Sequence, residues 1–189
     1  MGLIKQPNAT GIDVPIQGFQ KQLYGTLKNA WGLTDDDWNC YDRAYRNQLD
    51  DRTYYPEVFL GSPTGVKSQE YREVLVNDQV IVQSFFGVGQ QITYKQLSAT
   101  APVFLIIMIS NLSALKPGLL NRVDEAVRID AQRACSLQRY GFIMDGFTTG
   151  IDNVFREYSG WKCRADFRDI HPFHCFRINF SVTYSIQNC

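Results

Sequence analysis

The chain has 189 residues, 44% hydrophobic and 20% charged, a composition that excludes a wholly disordered polypeptide and fits one domain. Lys and Arg total 19, as do Asp and Glu, so the net charge is zero. That excludes a polybasic protein that coats nucleic acid, and the weak self-repulsion suits a chain that associates.

Residues 1–17 carry Pro7, Gly11 and Pro15 among isolated apolar residues, without a lasting period of 3.6 or 2. They predict an extended arm that docks on its own body or on a neighbour. No apolar leader run is visible, and Gln6 stands where a myristoylation signal needs Ser or Thr. Residues 18–54 read as an N-terminal helical segment. Phe19, Leu23, Leu27 and Trp31 recur at steps of four, and Gly32 supplies a stop. Thr34 before Asp35, Asp36 and Asp37 resembles a helix cap. Trp38, Tyr41 and Tyr45 then form an aromatic stripe on a short second helix or turn.

Residues 55–189 are expected to form the core domain. Short strands are expected over 57–60, 71–76 and 80–88, the last two joined as a hairpin by Asn77, Asp78 and Gln79. Residues 103–110 are apolar without alternation. This marks a strand buried on both faces in mid-sheet, and the run is far too short to span a bilayer. A helix is predicted over 119–138, with Val123, Val127, Ala131 and Ala134/Cys135 as its apolar stripe and Glu125 paired to Arg128. A second helix is expected over 151–158, capped by Thr148 or Thr149 and stopped by Gly160. From Phe176 to Ile186 apolar residues alternate with polar ones, which predicts a long strand with one buried and one polar face. Residues 161–168 alternate too, and would pair with it across a turn at 169–172. The fold class is therefore α+β, a mainly antiparallel sheet with helices packed on it, plus the N-terminal arm.

Chemical motifs are sparse. The five cysteines, Cys40, Cys135, Cys163, Cys175 and Cys189, are scattered without a CxxC, which argues for reduced thiols in a cytoplasm. Gly61 to Ser68 resembles a phosphate loop, but Val66 separates Gly65 from Lys67, and Gly87-Val-Gly89 lacks a dinucleotide fingerprint. Cys163, His171, His174 and Cys175 could ligate zinc, yet neighbours such as His174 and Cys175 point to opposite faces of a strand. His174 with Cys163 or Cys135 would be a catalytic dyad with nothing to fix its geometry. Asp124/Glu125 and Asp166/Asp169 lie on charged surfaces. Arg164, Arg168 and Arg177 with Tyr140 and Trp161 could make a local basic patch, although a solvated face suits the balanced charge better. No catalytic, cofactor-binding or metal residue is assigned.

The strand at 103–110 leads to Val123-Asp-Glu-Ala-Val-Arg-Ile-Asp-Ala-Gln-Arg-Ala134. Tyr140-Gly-Phe and Gly150-Ile-Asp-Asn-Val-Phe-Arg-Glu-Tyr158 follow, and the chain closes on Asp169-Ile-His-Pro-Phe-His-Cys-Phe-Arg-Ile-Asn-Phe-Ser-Val-Thr-Tyr184. In element order and local phrasing, residues 55–186 resemble the tail-terminator-like neck proteins of tailed bacteriophages, above all the neck ring proteins of crAss-like phages. The resemblance implies a non-enzymatic virion protein assembled in the host cytoplasm, without cofactors. It would be a subunit of a closed six- or twelve-fold ring that links portal or connector proteins to the tail. DNA would pass through the lumen without sequence-specific binding, facing the helix at 119–138 or the hairpin turn. The alternative from the residues alone is a small cytoplasmic metal-binding protein or enzyme that uses Cys163, His171, His174 and Cys175. A third is a binding module without a ring.

Overall fold

A computed structural model describes residues 2–61, 70–75, 77, 79–119, 122–136, 139–161 and 171–186. Gly2–Ile4 forms strand β1 and Asp13–Trp31 forms helix α1. The expected 17-residue arm is thus a short strand and a loop, and the helix starts five residues before position 18. Pro15 does not delay it, because the first-turn N–H groups lack intrahelical partners anyway. Ile16, Phe19, Leu23, Leu27 and Trp31 are buried along one face. Gly32 ends the helix in the left-handed conformation at φ 66°. Its N–H and that of Leu33 bond the carbonyls of Asn29 and Lys28. This reciprocal pair closes the last turn.

The second helix expected in residues 18–54 is instead strand β2, Trp38–Gln48. An irregularity between Cys40 and Arg43 shifts its register. Trp38 and Cys40 enter one core and Tyr41 the other by ordinary alternation, and the bulge brings Ala44 to the Tyr41 side. The aromatic spacing imitates a helix because this strand is buried on both faces, so its large residues need not alternate with polar ones. Tyr54–Phe59 (β3), Tyr71–Glu73 (β4), Val82–Val88 (β5), Thr93–Lys95 (β6) and Ser98–Ile109 (β7) follow. β4 and β5 do not form the expected hairpin. β4 pairs with β3, while β5 runs parallel to β2 and antiparallel to β7. The Gln83 amide ties the connection by accepting from Asn77 N at 2.9 Å and donating to Leu75 O at 2.9 Å, with no ladder between the strands.

Leu112–Leu115 is a single turn, α2, and Val123–Cys135 is helix α3. α3 buries Val127, Ala131, Ala134 and Cys135, and Arg128 donates to Glu125, as the stripe predicted. Phe142–Thr148 adds an unanticipated strand, β8, whose Asp145-Gly146 bulge hides the alternation. Ile151–Val154 (α4) is shorter than expected, and Gly150 rather than a threonine precedes it. His174–Ser185 is β9, the alternating strand read from the sequence. It pairs antiparallel with β7 from His174 to Ser185 and with β8 from Arg177 to Val182. The hairpin partner expected at 161–168 lies outside the described residues apart from Trp161.

The fold is α+β around one mixed, mostly antiparallel sheet in the order β4-β3-β2-β5-β7-β9-β8. β1 joins β2 in parallel, and β6 folds back on β7. β7 is the doubly buried central strand expected. Val103, Leu105, Ile107 and Ile109 face a first core under α1 and α3, while Phe104, Ile106 and Met108 face a second core under the 151–161 segment. In the first core Phe19 stacks on Phe142 at 4.2 Å and meets Phe86 and Phe180 edge-on. No described helix is long and apolar enough to cross a membrane.

Candidate functional site: a polar cleft and two open sheet edges

Among the described residues, the candidate ligating and catalytic residues do not converge. His171 and His174 line one cleft of about 500 Å³ with Arg122, Asp124 and Arg128, and His171 Nε2 lies 3.1 Å from Ser113 Oγ. Cys175, the next residue after His174, is buried in the second core on the opposite face of β9. Cys163 lies outside the described residues, among which no group of three or more His, Cys, Asp or Glu side chains could hold a metal ion. Burial pushes the Cys135 thiol up to about 12. A thiol so held is a poor nucleophile, which removes the dyad with His174.

Asp124 is held below the usual carboxylate range by hydrogen bonds from Arg122, the reverse of what a general acid needs. Asp166, Asp169, Arg164, Arg168 and the loop after Gly61 lie outside the described residues. Tyr140 is exposed beside α1, whereas Trp161 is buried in the second core and donates to Glu73. The two rings therefore share no patch.

Arg177 corrects the sequence reading most sharply. It belongs to no solvated face, since only 3% of the residue is exposed. Its Nη1 and Nη2 grip the Glu157 carboxylate as a fork, the latter at 2.9 Å, and its Nε donates to Asn179 Oδ1 at 2.7 Å. The guanidinium lies 3.9 Å over the Phe104 ring. Burial pushes the Glu157 carboxyl up, but the hydrogen bonds and charge of Arg177 outweigh it and leave the group below its ordinary value. Glu157 has no signature in the sequence. Nothing local marks Arg177 either: it falls on the polar side of the alternation, and only its pairing opposite Ile106 of the doubly buried strand buries it.

This pair forms one wall of a cleft of about 820 Å³ between the sheet and residues 156–158. Ala44, Pro102, Phe104 and Tyr158, all on the second face of the sheet, give it an apolar floor. Gly87, directly across from Phe104, makes room for that ring, since a Cβ there would sit 2.1 Å from it. Arg46, Arg156, Gln90 and Gln91 stand at the exposed rim. Arg46 Nε donates to Glu157 O at 2.8 Å while its guanidinium stacks 3.5 Å over Tyr54. Arg156 Nε donates to Glu157 Oε1 at 3.0 Å.

The sheet also has two ends. β4 closes one and β8 the other, with no further strand beyond either among the described residues. Tyr71 on β4 is 48% exposed and Ile143 on β8 is 55% exposed. An open strand edge carries unpaired backbone donors and acceptors, and an apolar residue upon it invites another chain. Compared with known proteins, no family model and no curated protein matches the sequence.

Proposed function

We propose that the protein is a structural subunit of a closed ring, of the kind found in the neck or at the tail terminus of tailed bacteriophages. The observation that carries this reading is that two different strands, β4 and β8, end the sheet on opposite sides among the described residues. A contact between unlike surfaces repeats from subunit to subunit and makes a ring where its rotation closes, whereas a contact between like surfaces stops at a dimer. Zero net charge lets such neighbours approach without repulsion. The likeness of residues 55–186 to tail-terminator-like neck proteins supplies the biological setting. Portal or connector proteins would lie on one side, the tail on the other, and DNA would run through the lumen.

Native mass spectrometry of the purified chain tests the reading. A closed six- or twelve-subunit mass without metal supports it. A monomer that carries stoichiometric metal overturns it, as does a dimer that does not grow with concentration. Ile143→Lys is expected to abolish assembly while changing monomer stability by less than about 0.5 kcal/mol, because an exposed edge lysine disrupts pairing and not folding.

A further inference from the structure

The cleft beside Glu157 and Arg177 is independent of the ring reading. Its volume of about 820 Å³ falls in the range of small-molecule sites, roughly 300–1,000 Å³. Its composition has the same character: an apolar interior with a few convergent polar groups at the mouth. Arg177 is not the free group here, because Glu157 and Asn179 already engage it. Arg46 is different. Its Nε is bonded to a backbone carbonyl and its plane is stacked on Tyr54. Those two contacts orient the guanidinium, and among the described residues its two Nη groups have no further partner. Arg156 repeats the pattern, with its Nε on Glu157 and its Nη groups at the rim.

A guanidinium fork held in this way matches a planar carboxylate. A dianionic phosphate is less suitable, because the Asp145 and Glu157 carboxylates line the same cleft and would repel its second charge. We propose that the cleft binds a small monoanionic carboxylic acid with an apolar body, its carboxylate on the Arg46 and Arg156 guanidinium groups and its body against Pro102, Phe104 and Tyr158.

The test uses 4-phenylbutyrate, its uncharged amide and the blocked dipeptide N-acetyl-Phe-Glu-amide, titrated into the full chain by calorimetry and amide NMR. Phenylbutyrate is expected to bind with a Kd below about 1 mM and to shift the Gly89, Gln90 and Phe104 amides. The amide is expected to bind at least about tenfold more weakly, the worth of one charge-assisted hydrogen bond. Arg46→Gln should lose a similar factor, while Arg122→Gln, at the His171 cleft, should lose nothing. Both arginines are surface residues, so the variants fold. Equal binding of acid and amide overturns the proposal. So do an unaffected Arg46→Gln, shifts confined to the His171 cleft, or no binding at all. Binding of the blocked dipeptide at least as tight as that of the free acid would make a protein side chain the occupant and overturn the small-ligand assignment.

Discussion

The two faces of the sheet solve the problem of burial in opposite ways. The first face is covered by α1 and α3, and its contacts are almost all apolar, with Phe19, Phe86, Phe142 and Phe180 packed ring against ring. Among the described residues the second face is covered by 151–161 and the β3–β4 end, and beside that cover it holds an ion pair and a cleft. A helix with a continuous apolar stripe can seal a sheet by itself. The short α4 segment cannot, so the strand beneath it keeps a charged side chain that must be paired. The comparison teaches where function can reside: the sealed face supplies stability, and the second face and the open edges supply surfaces.

The largest expected effect breaks the sealed face. Phe19→Ala removes a ring that touches three others, and should cost about 3–5 kcal/mol in urea unfolding. On the other face, Glu157→Ala leaves Arg177 buried without its carboxylate. A loss of about 3 kcal/mol is expected, most of it recovered when Arg177→Met is added, because the cost lies in the orphaned charge. If the double variant stays as unstable as the single one, packing and not charge holds that face together.

A smaller effect concerns the β1 strap. Asp42 is almost fully buried, and its carboxylate accepts from Gln6 N at 2.7 Å and Gln17 Nε2 at 2.9 Å. Burial pushes it up to about 6, with the Asp13 charge adding to the shift. A carboxyl raised in the folded state binds its proton more tightly there than in the unfolded chain. Its contribution to stability therefore improves as pH falls through about 6 toward 4 and is lost as pH rises through the same window. Asp42→Asn keeps an acceptor but does not titrate. Thermal melts should show wild type gaining on this variant by about 3 kcal/mol at most between pH 7 and pH 4. A constant difference would mean that Asp42 does not titrate in that window. The smallest effect on stability belongs to Ile143→Lys at the β8 edge, whose readout is assembly.

Much of the element order is legible in the amino-acid sequence. α1, α3, β7 and β9 each carry a period long enough to exclude alternatives: steps of four from Phe19 to Trp31, a stripe through Val127 and Ala131, an unbroken apolar run, and strict alternation from Phe176. β2 is illegible because both its faces are buried, so its aromatic residues fall at helix-like spacing without alternating. β8 is illegible because Asp145 and Gly146 interrupt it. Within the site, the opposite orientations of His174 and Cys175 follow from strand geometry alone, whereas the pairing of Glu157 with Arg177 does not.

By itself, then, the sequence determined what depends on neighbours a few residues apart: helix faces, the Gly32 stop and the doubly buried strand. Tertiary structure decided which strands pair, which ends of the sheet stay open, and which charge meets which. Those outcomes join residues far apart along the chain, and nothing local encodes them. They arise when the sheet assembles and the cost of leaving Arg177 alone in an apolar layer selects Glu157 as its partner.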